Sequence, residues 1–192
     1  MATPSRDRAP RKDAARNCAL LIAAAVAAFQ EDGLGASVNA IAADAGVNIA
    51  TLYRHFPTKD DLLVAVFDQV LAPLEIARDR ALAGAPGRSL ETFLREAVHL
   101  QAEHRGLIEA ITRAAGSGGV QEIRARLKDP ALAIVEPLAQ RAHRDGELRD
   151  DFDAADLLIA LRMASGAAVA AVAEPATLER YVDVVVRGLR PD

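Results

Sequence analysis

Ser37-Val-Asn-Ala-Ile-Ala-Ala-Asp-Ala-Gly-Val-Asn-Ile-Ala-Thr-Leu-Tyr-Arg-His-Phe-Pro-Thr-Lys59 carries the punctuation of two short, tightly spaced helices. Ser37 is a good N-cap, and Val38, Ile41, Ala42 and Ala45 follow at the spacing of one apolar helix face. Gly46 ends that helix, and Val47 reads as a buried turn residue. Asn48 caps a second helix over Ile49 to Phe56, which buries Leu52 and Phe56; Pro57 disfavours its continuation. Helix, Gly-containing turn and helix in about 20 residues make a helix–turn–helix unit.

Upstream, a helix is expected from about Lys12 to Asp32, with Leu21, Ile22, Ala25, Ala28 and Phe29 inward and Leu20, Val26 and Ala27 outward. Gly33 supplies its left-handed cap, and Leu34 folds apolar surface back onto it. Residues 1–10, with Pro4 and Pro10, read as a flexible arm, so the helix–turn–helix domain covers 11–57 and a larger helical unit covers 58–192. Downstream, Thr58 caps a long helix with Asp60 and Asp61 in its first turn and Pro73 as a kink. After the Gly84-Ala-Pro86-Gly87 loop, one helix runs from Ser89 to about His104-Arg105-Gly106 and a short one from Leu107 to Ala115. Two separate pieces follow, Val120–Lys128 and Pro130–Asp145. Ala154–Ala173 forms a long apolar helix, and a last helix begins at Pro175 and runs through Arg187.

Composition agrees with an all-α chain. Of 192 residues, 51% are hydrophobic and 26% charged, which excludes a disordered chain. Alanine, the best helix former, occupies 42 positions against 7 aromatics. The single cysteine can form no internal disulfide, which points to a reducing cytoplasm. Net charge is −4, but it is unevenly placed. Arg6, Arg8, Arg11, Lys12 and Arg16 outnumber Asp7 and Asp13 at the start, while residues 61–192 carry a net −5. A basic end on an acidic body suits a protein whose end alone meets a polyanion. The apolar run Cys18–Phe29 resembles a secretory signal only superficially, because it leads straight into the helix–turn–helix pattern; it is shorter than the ~18 residues of a membrane span, so no membrane association is expected.

An isolated helix of eight residues is unstable in water, where ~12–15 are needed. The helix after Asn48 must therefore be held by packing of Leu52 and Phe56 against Val38, Ile41 and Phe29. That leaves Asn48, Ala50, Thr51, Tyr53, Arg54 and His55 outward. They offer hydroxyls and a cation to phosphates and Asn48 to a base edge, while the small Ala50 permits close approach to a groove. The segment resembles the DNA-binding signature of the TetR family of bacterial regulators over about residues 12–67, through Ile41-Ala-x-x-Ala-Gly-Val47, Leu52-Tyr53-x-x-Phe56 and Lys59. The resemblance implies that Thr51 and Tyr53 bind phosphates, His55 a phosphate or groove edge, and Lys59 a phosphate from the start of the fourth helix. Ser37 would do the same from its helix N-terminus. Arg16 joins them from the basic end. Ser37 can equally be only a cap; the lesser alternatives are Tyr53 as a half-buried packing residue and Arg54 as merely solvated. Few long polar side chains stand on the recognition helix, so backbone contacts should outweigh base readout.

Elsewhere, His99, Glu103 and His104 do not share one face, so no metal is expected, and no cofactor. No nucleophile elbow, Walker loop or G-x-G-x-x-G is present, so an enzyme is disfavoured. The last two helices, smooth with Ala164, Ser165, Gly166, Ala167, Ala168, Ala170 and Ala171 and apolar through Leu157, Leu158, Leu161, Val169, Val172, Tyr181, Val184, Val185 and Leu189, read as a homodimer face. The alternative is a helix buried within one subunit. Phe67, Phe93, His99, Leu100, Ile111, Arg113, Arg162 and Met163 suggest a mostly apolar effector pocket, or equally a filled core. The leading reading is a cytoplasmic, homodimeric repressor that binds an operator and releases it on taking up a small apolar effector. The runner-up is a DNA-binding regulator without such an effector, and a helical enzyme comes last.

Overall fold

The computed structural model describes residues 8–103, 121–170 and 175–191. Among them are eight α-helices: α1 (Arg8–Asp32), α2 (Val38–Asp44), α3 (Ile49–His55), α4 (Lys59–Ala83), α5 (Ser89–Glu103), α6 (Gln121–Arg144), α7 (Ala154–Ala170) and α8 (Pro175–Leu189). A single 3-10 turn, Gly33–Gly35, joins α1 to α2, and the described residues contain no strand. The short helix expected over Leu107–Ala115 and the Gly116–Gly119 loop lie outside the described residues.

Two differences from the expected elements have physical causes. Helix α1 begins at Arg8, so the last three residues of the expected arm are helical; Pro10 is tolerated because the first turn of a helix needs no donor there. The two pieces expected around Pro130 are one helix, α6, which also continues through Pro137. Ala131, Ile134, Val135, Leu138, Ala139 and Ala142 form a continuous buried stripe along it, and that packing outweighs the backbone hydrogen bonds the prolines remove. Helix α4 likewise continues through Pro73.

The helices enclose two cores. In the first, Leu21, Ala25 and Phe29 of α1, each fully buried, meet Ile41 and Ala42 of α2, Leu52 of α3 and Phe56. Val26, expected outward, is half-buried against this core. In the second, α4, α5, α6, α7 and α8 surround Phe93, Leu94, Ile134, Leu138, Leu157 and Leu161. Helix α4 belongs to both. Its first half gives Leu62, Leu63, Val66 and Val70 to the first core, its second half gives Leu71, Leu74, Ala77 and Ala81 to the second, and Phe67 packs against each. A displacement of α4 therefore moves both cores at once.

The far end of the second core is closed by an acid that the sequence pattern did not single out. Glu147 is buried and accepts hydrogen bonds from the Ser89 N–H (2.9 Å), the Ser89 hydroxyl (2.8 Å) and the Leu90 N–H (3.1 Å). It thus satisfies the open N-terminus of α5 from 57–58 residues away. Within Lys12–Gly35 an 18-residue window reaches a mean hydropathy of 1.4, so this helix is long and apolar enough to cross a membrane by length and composition, contrary to the count over Cys18–Phe29 alone. Its most apolar stripe, Leu21, Ala25 and Phe29, is instead occupied by the first core.

Candidate nucleic-acid interface

The recognition unit is assembled by caps and by a few large side chains. The Ser37 hydroxyl accepts from the Ala40 N–H (3.5 Å), and the Asn48 side-chain carbonyl from the Ala50 N–H (2.8 Å). Between them Gly46 takes φ +66°, a left-handed value that any side chain would strain, which lets the Val47 N–H reach the Ala42 carbonyl at 2.9 Å. Val47 is half-buried rather than buried. Leu52 and Phe56 point into the first core, one turn apart, and fix the rotation of α3 about its axis.

That rotation decides what α3 shows to solvent. Ala50, Tyr53 and Arg54 are exposed, at i, i+3 and i+4. Tyr53 is 49% exposed, so its packing role is secondary to its outward one. Thr51 and His55 are half-buried flanks of the same surface, with the His55 ring tilted against Phe56 at 6.1 Å between centroids. Asn48 is exposed, but its side-chain oxygen serves the cap, leaving its amide N–H groups for an outside partner. Ser37 is exposed and engaged as a cap in the same way. Arg16 is exposed on α1. The exposed part of α3 thus offers one phenol and one guanidinium beside the flanking Thr51 hydroxyl, donors suited to phosphates more than to base edges.

Lys59 departs from the expectation. Its ammonium donates to the carbonyls of Leu34 and Ala36, both at 2.6 Å, and lies 5.9 Å from the Phe29 ring centroid. Two short charge-assisted hydrogen bonds hold it inward, so its side chain ties the turn after α1 to the start of α4, with one of its three N–H groups left over for a phosphate. Nothing local in sequence marks this, because the acceptors are 23 and 25 residues away. On the same turn of α4, Thr58 and Asp61 form a capping box. The Asp61 carboxylate accepts from the Thr58 N–H (3.1 Å) and hydroxyl (2.7 Å), and the Thr58 oxygen accepts from the Asp61 N–H (3.1 Å). The Thr58 hydroxyl, and then Arg126, hold the Asp61 carboxyl below its usual range.

Of the expected effector-pocket residues that are described, three share the second core and three do not. Phe93 is fully buried, and Phe67 and Leu100 pack around the second core. His99 instead lies on the outer side of α5, its Nε2 3.0 Å from Glu179 of α8. Met163 is 65% exposed and Arg162 is exposed as well. The phase of α7 explains this: Leu157, Leu158, Leu161, Ala164 and Ser165 take its inner face, which turns 159, 162, 163 and 166 outward. Ile111 and Arg113 lie outside the described residues. Among the described residues no three His, Cys, Asp or Glu side chains converge as a metal site.

The last two helices divide differently from the single face expected of them. Leu157, Leu158, Leu161 and Leu189 are buried in the subunit's own core, and Val185 packs against it. Ile159 and Met163 on α7, with Tyr181 and Val184 on α8, remain as exposed large apolar side chains. Arg95 of α5 bonds both Glu179 and Asp183 and, with His99, pins α8 to the bundle.

Comparison with known proteins covers nearly the whole chain. Residues 21–66 match the family described as bacterial regulatory proteins, tetR family, and residues 85–191 match the C-terminal domain of SbtR-like transcriptional regulators. The chain is 30% identical over 119 residues to the HTH-type transcriptional repressor KstR of Mycobacterium tuberculosis, an alignment covering 59% of this chain and 52% of that protein. It therefore spans about half the length of the curated relative it matches. A TetR transcription regulatory protein from Mycobacterium vanbaalenii is 33% identical, with 94% of this chain and 99% of that chain covered and a TM-score of 0.60. FadR from Bacillus subtilis, crystallised in complex with stearoyl-CoA, shares the fold at 20% identity, with 89% and 98% covered and a TM-score of 0.70.

Proposed function

Because this chain belongs to the TetR family of bacterial regulatory proteins, we propose that it is a homodimeric, cytoplasmic repressor of transcription, released from its operator by a small, largely apolar effector. The observation that carries the reading is the exposed part of α3, where Ala50, Tyr53 and Arg54 face out beside Thr51 while Leu52 and Phe56 hold the helix from behind. Thr51, Tyr53 and His55 meet phosphates, the Asn48 amide meets a base edge, and Arg16 adds charge from α1. Lys59 supports this surface from within. Repression is the direction named for the KstR relatives. Ile159, Met163, Tyr181 and Val184 form the dimer face, where twin copies of α7 and α8 pack as four helices and place two α3 helices on successive half-sites. The apolar second core is the place for the effector, and a fold that houses stearoyl-CoA in FadR can accept a long apolar ligand.

Binding measured across a salt series tests the phosphate contacts. On a duplex enriched from a random-sequence pool by the full-length protein, Arg16→Ala should lower the log–log salt slope by about 0.9 for the phosphate it no longer neutralises, Thr51→Val and Tyr53→Phe should weaken binding to every sequence alike, and Asn48→Ala should alter sequence preference. Failure to enrich any sequence would overturn the DNA-binding reading, and an unchanged slope for Arg16→Ala with unchanged affinity for Thr51→Val and Tyr53→Phe would overturn the phosphate contacts. Thermal-shift measurements against fatty acids, aromatic acids, sugars and nucleotides test the effector. Stabilisation and operator release by the apolar acids are expected, and no response to any of them would leave the regulator without a small-molecule effector.

A further inference from the structure

We infer that Arg126 is a positioning residue for DNA binding: through Asp61 it sets the angle at which α4 presents the recognition unit. This rests on the DNA-binding reading above. Arg126 lies near the start of α6, and its Nη2 donates to Asp61 Oδ1 at 3.0 Å, across 65 residues of sequence. The other carboxylate oxygen, Oδ2, is the half of the capping box that Thr58 uses. One carboxylate thus closes the first turn of α4 with one oxygen and receives the C-terminal bundle with the other. Two residues earlier on the same turn, Lys59 holds the carbonyls of Leu34 and Ala36, immediately before the Ser37 cap of α2. From Arg126 to the connection that leads into α2 the chain of contacts consists of charge-assisted hydrogen bonds and a single helical turn.

The geometry of α6 makes Arg126 a suitable end for such a joint. The half of α6 that starts at Ala131 is embedded in the second core, whereas Arg126 lies beyond that stripe and is exposed. Pro130 has no N–H to offer the Arg126 carbonyl four residues back, and its ring crowds that carbonyl, so α6 bends most easily at the turn that carries Arg126. A shift of the core half is therefore delivered to Asp61 as a change of direction. An exposed ion pair contributes little to stability, which lets the pair act on geometry with little cost to folding.

The test uses full-length protein and a duplex enriched from a random-sequence pool, compared with the same duplex carrying one base pair inserted between its half-sites. The readout is the ratio of the two affinities, which a loss of stability alone would not move. Arg126→Gln and Asp61→Asn should each reduce the ratio about fivefold, the low end of energetic coupling between sites. The double variant should fall no further than either single one, and Arg126→Lys should retain most of the ratio. Asn keeps an oxygen for the Thr58 cap, and thermal unfolding of Arg126→Gln should match the parent. Single variants that leave the ratio unchanged, or whose effects multiply, would overturn the inference while leaving DNA binding intact. Failure to enrich any duplex would overturn both.

Discussion

The N-terminal unit and the C-terminal bundle bury their apolar residues by the same helical rule, but their surfaces are set in different ways. In α2 and α3, seven residues each, one or two buried side chains, Ile41 and Ala42 or Leu52, fix the whole helix, and the opposite face turns out by default. In the 17-residue α7, two apolar stripes compete. Leu157, Leu158 and Leu161 enter the subunit's own core while Ile159 and Met163 stay exposed, although all five are large apolar side chains. A short helix leaves no choice of burial; a long apolar helix has to be told which neighbour takes which stripe. Outward-facing functional residues are therefore assigned most securely where the helix is smallest.

The largest expected effect breaks the first region and asks whether the second survives. Phe29 is fully buried beneath α2, α3 and the Lys59 ammonium, so Phe29→Ala should cost about 3–5 kcal/mol. Denaturant unfolding should show an early transition and operator binding should disappear, while sedimentation still finds the dimer. A single transition that takes the dimer with it would mean that α4 welds the two cores into one cooperative unit. Next in size, Met163→Arg combined with Val184→Glu places charges on the proposed dimer face without touching either core. Monomers by sedimentation and operator affinity reduced about a hundredfold are expected, because one recognition helix buries too little for tight binding. A dimer that persists would move the interface elsewhere.

The smallest effect concerns acid. Glu179 is held below its ordinary value, about 4.5, first by the hydrogen bond from His99 and then by Arg95. A carboxylate whose folded value is depressed stabilises the fold above its unfolded value, and that contribution is lost as pH falls through the folded one. Glu179→Gln should therefore flatten the fall in melting temperature below about pH 4.5, and shift it by only about 1–2 °C at neutral pH, as befits an exposed pair. An unchanged acid limb would remove the α5–α8 ion pairs from the forces that hold α8.

Sequence alone was enough for the helix–turn–helix unit, because its information is local. Caps at Ser37 and Asn48 and the turn at Gly46 act within a few residues, and the spacing of Leu52 and Phe56 sets the phase of α3, so of the outward set Asn48, Ala50, Thr51, Tyr53, Arg54 and His55 all but the half-buried Thr51 and His55 are exposed. Tertiary structure alone decided the partners of charges and the fate of long apolar helices. Lys59 turned inward to carbonyls 23 and 25 residues away, Glu147 capped α5 across 57–58 residues, and Arg126 reached Asp61 across 65. Helical periodicity says that a residue is buried or exposed, not against what; His99 and Met163, read as pocket lining, came out on the surface for that reason. Periodicity is a property of one helix, whereas a pocket, an ion pair or a dimer face is a relation between helices whose packing the local pattern does not encode.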